Sequence, residues 1–196
     1  MINNLHHTSP LTEKRQALYG HAGGVIWLTG LSAAGKSSLA VALEQALCAR
    51  GYACYVLDGD TLRTGLNANL GFSPEDRQEN VRRVAEVAAL FAQAGMVCIT
   101  AVISPYREAR GYARQCYAQS FHEVHVAADL SSCEGRDPKG LYRKARTGEL
   151  AHFTGVSAPY EIPLNPDLRI DTGRETLKAS LDTLLRYVLQ HIPHAA

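Results

Sequence analysis

The sequence predicts an α/β fold, a parallel sheet flanked by helices on both faces. Two observations predict it. Short apolar runs alternate with longer helical patterns along the chain. The first three runs are nearly continuous Val, Ile, Cys and Ala, the pattern of strands covered on both sides. Strand–helix alternation of this kind implies right-handed βαβ crossovers.

Each element follows from its residues. Strands are expected at 25–29, 53–57, 96–102, 121–127 and 168–171. Helices are expected at 37–50, 74–94, 105–119 and 174–191. Gly51 follows the first helix as a stop. Ser73-Pro74-Glu75-Asp76 supplies an N-cap, a proline at the first helical position and acids at the positive dipole end. Residues 1–24 read as a polar, solvated N-terminal tail before a single domain over 25–196; His6-His7 in that tail carries no metal pattern. A basic segment at about 136–160 breaks the alternation and reads as a closing lid, with a solvated basic surface as the alternative.

Composition sets limits. The chain has 196 residues, 46% apolar and 20% charged, with net charge +1. That suits one globular domain and points to neither nucleic acid nor a membrane surface as a partner. No apolar run reaches the ~18 residues of a membrane span. The five cysteines include no C-x-x-C pair, and Cys48, Cys54 and Cys98 lie in apolar stretches as expected core residues. A cytoplasmic setting fits this cysteine usage.

Residues 30–37 read Gly30-Leu31-Ser32-Ala33-Ala34-Gly35-Lys36-Ser37. This is G-x-x-x-x-G-K-[ST], placed between a strand and a helix that continues through Ser38, which is the context the phosphate-cradling P-loop requires. Backbone N–H groups and the helix dipole bind phosphate; Lys36 reaches the β/γ-phosphates and Ser37 holds Mg²⁺. ATP and Mg²⁺ are the expected cofactors. The second strand ends in Asp58-Gly59-Asp60, where doubly wound sheets place ligands, so both carboxylates should face the loop. They can hold Mg²⁺ waters or orient an acceptor hydroxyl; a simple helix cap by Asp60 is the alternative reading. Arg63 and Arg77 offer planar forks for phosphate or sulfate, Phe72 can stack on a base, and Asn80 lies one turn from Arg77. Arg82 and Arg83 read as surface residues. Ile103-Ser104 ends the third strand, where the Ser104 hydroxyl can touch an anion or cap the following helix.

Four stretches, residues 58–87, 99–110, 136–150 and 153–161, together with the loop resemble adenylylsulfate kinase. The resemblance runs from about Gly24 to the last helix. It implies a P-loop kinase fold and transfer of phosphate from ATP to the 3′-hydroxyl of adenylyl sulfate in sulfate activation. It implies that Asp58 and Asp60 serve metal and acceptor, and that Arg63, Phe72, Arg77, Asn80, Ile103, Ser104, Lys139 and Leu141 surround adenylyl sulfate. It places Arg136 near the ATP adenine and implies a homodimer without an appended sulfurylase domain. In the family, Ser104 is marked as a phosphoserine; direct in-line transfer is the physically preferred reading, with Ser104 a substrate contact. Two positions depart from the family. Ala33 stands where Gly is common, at a cost on the order of 1 kcal/mol if φ is positive. Ala101 replaces a usual Ser. Another small-molecule P-loop kinase and a silent nucleotide-binding regulator are the competing readings.

Overall fold

The structure, a computed structural model, describes residues 11–194. Five parallel strands form one sheet: β1 Gly24–Thr29, β2 Cys54–Asp58, β3 Val97–Ala101, β4 Phe121–Ala127 and β5 Leu168–Asp171. Their order is β2-β3-β1-β4-β5, so β1 is central. All five expected strands are present, each within a residue or two of its expected bounds. β1 and β3 are buried at every position, as continuous apolar runs require. β2 is not: it is an edge strand, and Tyr55 on it is exposed against Phe91.

Eight α-helices are described: α1 Thr12–Tyr19, α2 Lys36–Cys48, α3 Gly59–Arg63, α4 Pro74–Gln93, α5 Arg107–Cys116, α6 Leu130–Arg136, α7 Leu141–Arg146 and α8 Leu177–His191. They cover both faces of the sheet. Leu39, Leu43 and Leu47 of α2 pack with Leu184 and Val188 of α8 against one face. Val81, Val84 and Ala88 of α4 pack with Ala109 and Ala113 of α5 against the other. Each fully buried Leu or Val contributes about 1.5–3 kcal/mol of transfer free energy.

Several expectations are corrected. The segment taken as a polar tail carries α1, and buried His21 ties it to the sheet by accepting the Ala53 N–H at 2.9 Å. His6 and His7 lie outside the described residues. The helix expected from 105 begins at Arg107, and the one expected from 174 begins after Thr176, whose hydroxyl caps it through Ala179 N. Cys48 is exposed rather than buried, because Leu47 takes the core-facing position at the end of α2. No helix among the described residues is long and apolar enough to cross a membrane.

Candidate active site

The site grows from the carboxyl ends of β1, β2 and β3. The loop after β1 is shaped by its glycines. A Cβ on Gly30 would sit 2.4 Å from Val126 O, and Gly35 adopts φ +95°. Ala33 adopts φ +58°, so the position that departs from the family carries a methyl in the left-handed region. The loop carbonyls are taken up by side-chain donors. Lys36 Nζ donates to Gly30 O at 3.0 Å and Leu31 O at 2.7 Å. Tyr142 Oη–H donates to Ser32 O at 3.0 Å, Arg136 to Ala33 O at 3.3 Å, and Thr172 Oγ1–H to Ala34 O at 2.7 Å. With the carbonyls so held, the N–H groups at the start of α2 are left for an anion. Burial pushes the Lys36 amine down to about 8, against the nearby carboxylates of Asp58 and Asp60.

Ser37 Oγ–H donates to Asp58 Oδ2 at 2.6 Å. Asp58 Oδ1 accepts the Asp60 N–H at 2.9 Å and so caps α3, which corrects the reading of Asp60 as the cap. The exposed Asp60 carboxylate pairs instead with Lys139 of the basic segment. The paired hard oxygens of Ser37 and Asp58 fit Mg²⁺, which takes one or two protein oxygens and completes its shell with water and phosphate.

Across the cleft, Arg63 and Arg77 converge on Phe72. Arg63 lies 4.4 Å from the ring centre and donates to Leu70 O and Gly71 O, each at 3.1 Å. Arg77 lies 5.5 Å away and donates to Phe72 O at 3.2 Å and His152 O at 2.8 Å. Burial lowers the pKa of both guanidiniums, and at Arg77 the neighbouring Arg63 adds to it. An anion between them would relieve both penalties. Phe72 remains 44% exposed, which leaves ring surface for a flat ligand. Asn80, buried beside Arg77, accepts from Asn67 Nδ2 at 3.0 Å. Arg82 and Arg83 lie off the site, paired with Glu79.

Ser104 is 2% exposed with φ +43°, and its hydroxyl does not cap α5. It points back to Thr29 and Trp27. The basic segment is not simply solvated: Tyr142 and Phe153 are buried edge-to-face, 4.9 Å apart.

One cavity of about 930 Å³ joins these parts. It brings together Ser32, Ala33, residues 35–38, Asp58, Asp60, Arg63, Phe72, Arg77, Asn80, Ile103, Ser104, Arg136, Lys139 and Leu141. Gly30 and Ala34 do not line it; they shape the loop from beneath. Leu31 faces a separate cavity of about 490 Å³. Sequence reasoning missed Tyr142 and Thr172, the outer donors to the loop. Tyr142 stands among Arg136, Lys139, Arg143, Lys144 and Arg146, and nothing in these charged neighbours marks it as buried.

The family model for adenylylsulphate kinase matches residues 22–171. The adenylyl-sulfate kinase of Staphylococcus epidermidis is 51% identical over 187 residues, 94% of each chain. The APS kinase of Mycobacterium tuberculosis, solved in complex with AMPPNP and APS, superposes with a TM-score of 0.82 at 46% identity, covering 85% of this chain and 98% of that one. A hexameric APS kinase from Thiobacillus denitrificans gives 0.67 at 32% identity, covering 88% of this chain and 30% of that one. A P-loop cavity with a second, arginine-lined half and relatives of this identity over nearly the whole chain lead to one conclusion: the chain belongs to the adenylylsulfate kinase family.

Proposed function

We propose that the protein transfers the γ-phosphoryl group of ATP to the 3′-hydroxyl of adenylyl sulfate, giving 3′-phosphoadenylyl sulfate and ADP. The observation that carries this reading is the single cavity in which a phosphate loop faces a pair of buried arginines around an open aromatic ring. Two anionic nucleotides fit such a cavity, one at each half.

The residues divide the work. The amides of Ser32, Ala33 and residues 35–38, with Lys36, hold the β/γ-phosphates, and Arg136 borders the adenine of ATP. Ser37 and Asp58 would hold Mg²⁺, which would supply positive charge to neutralise that of phosphoryl transfer. Asp58, held by Ser37 and the α3 cap, and Asp60, paired with Lys139, are the two carboxylates that can orient the acceptor hydroxyl. Arg63 and Arg77 bind the phosphosulfate, Phe72 stacks on the acceptor adenine, and Asn80, Ile103, Leu141 and Lys139 border it. Closure of the basic segment excludes water, which would otherwise take the phosphoryl group. Ser104 is a contact rather than a phosphate carrier. Its hydroxyl proton is engaged by Thr29 Oγ1 at 2.9 Å, and no general base adjoins it.

The homodimer that the resemblance implies is a proposal, checked by light scattering of the purified protein, where a hexamer such as that of the Thiobacillus denitrificans relative would overturn it. The free cysteines suit a reducing cytoplasm. The decisive test is product formation: protein with ATP, Mg²⁺ and adenylyl sulfate should yield 3′-phosphoadenylyl sulfate, identified by mass spectrometry. Folded protein that instead phosphorylates only nucleoside monophosphates or sugars in an acceptor panel would overturn the reading.

A further inference from the structure

Thr29 and Tyr160 take no part in the reaction as described, yet they meet at a buried hydrogen-bond knot beside it. Thr29 is the last residue of β1, fully buried, and directly precedes Gly30. Its hydroxyl donates to Ile103 O at 2.8 Å. Ser104 Oγ lies 2.9 Å and Tyr160 Oη 3.1 Å from the same Thr29 oxygen. Trp27 Nε1–H donates to Ser104 Oγ at 3.1 Å.

The protons can be assigned. A threonine hydroxyl has one proton and two lone pairs. A carbonyl can only accept, so Ile103 O takes the Thr29 proton. Both lone pairs are then open to the protons of Ser104 and Tyr160. An indole N–H can only donate, so Ser104 Oγ accepts from Trp27. Every proton is placed and the Thr29 oxygen is saturated. The 3.4 Å contacts to Ser104 O and Val102 O are longer alternatives.

Three segments therefore converge on one oxygen: the root of the phosphate loop, the Ile103–Ser104 turn of the acceptor half, and the chain returning from the basic segment. The turn needs holding, because φ +43° at Ser104 lies in the left-handed region that a non-glycine residue occupies only under strain. Buried Arg110 fixes the outer side of the same junction. It donates to Ser104 O and Glu161 O, each at 2.7 Å, and pairs with Glu123 at 2.6 Å.

We propose that Thr29 is a positioning residue for the acceptor half of the site, with Tyr160 anchoring the return of the basic segment to the same point. Its hydroxyl sets the spacing between the phosphate loop and the Ile103–Ser104 turn. In-line transfer is sensitive to that spacing, since a misplacement of about 1 Å can cost about 10²-fold in rate. The inference rests on the adenylyl-sulfate reading above.

Thr29→Val removes the hydroxyl and keeps the shape; Thr29→Ser restores the hydroxyl; Tyr160→Phe removes one arm only. Steady-state kinetics with ATP, Mg²⁺ and adenylyl sulfate separate the outcomes. Thr29→Val should raise KM for adenylyl sulfate about 10-fold and lower kcat, with KM for ATP changed by less than about 2-fold. Thr29→Ser should return the acceptor KM to within about 3-fold of the parent, and Tyr160→Phe should show a weaker form of the same split. A purely structural hydroxyl would lower the melting temperature while leaving both KM values alone, or raise both equally; either result overturns the proposal. If Thr29→Val does not fold, an unchanged acceptor KM in Tyr160→Phe overturns it. Absence of product from the parent protein overturns the adenylyl-sulfate reading and this inference with it, whereas an active parent with an unaffected Thr29→Val overturns this inference alone.

Discussion

Ala33 shows how one methyl group becomes a measurable quantity. Its φ of +58° is the conformation that glycine adopts freely and other residues adopt at a cost. The loop absorbs that cost because the Ala33 carbonyl is held by Arg136 and its neighbours by Tyr142 and Thr172. Ala33→Val adds β-branching at a positive φ and should destabilise the protein by about 1–3 kcal/mol in urea denaturation. Ala33→Gly should change stability by less than about 1 kcal/mol, since relief of strain is offset by the freedom glycine gains in the unfolded chain. Equal stability of the Val and Gly variants would show that the backbone there is not constrained. The departure itself was legible in the sequence. Its conformation was only conditional, because a φ angle depends on the carbonyl ties made by residues more than a hundred positions away.

At the scale of elements, the strands and the long helices were legible because each carries its own pattern. β1 and β3 are mostly apolar and buried throughout, and α4 announces its start with a serine cap and a proline. Short elements were not legible. α3 spans Gly59–Arg63 and α7 spans Leu141–Arg146, and both are too short to show a helical period. α7 exists because Tyr142 and Ala145 are buried against the core, a tertiary cause. The same limit hid the knot at Thr29, which reads locally as the end of a strand. Tyr142 makes the case testable. Tyr142→Phe keeps the packing on Phe153 and removes the bond to Ser32 O. A lost bond of about 0.5–1.5 kcal/mol at the phosphate loop should raise KM for ATP about 3- to 10-fold, with the acceptor KM less affected. Unchanged ATP kinetics would show that α7 only packs.

For the whole molecule, two buried histidines set the response to acid. His21 accepts the Ala53 N–H through Nε2 at 2.9 Å, and its Nδ1 lies 2.8 Å from Ala22 O, so the fold requires the neutral ring. Burial lowers its pKa. Burial, with Arg169 and Arg110 nearby, pushes His125 down to about 4. The unfolded chain therefore binds more protons than the folded one below the ordinary histidine value of about 6.5. The stability these rings contribute is fully present above pH 6.5 and is lost as the pH falls from there toward 4. Urea midpoints across pH 4–8 check this; a midpoint that rises on acidification would overturn it.

The strand order has a last consequence, for how the chain is made. β1 is synthesised before every other strand, yet its partners are β3, where Gly24 faces Val97, and β4, where Val25 faces Phe121. During translation this strand, buried at every position in the fold, waits beside a growing chain until both neighbours have emerged. The centre of the sheet is the first strand written yet is paired on both sides only once β4 has emerged, and nascent-chain aggregation or chaperone capture would fall in that interval.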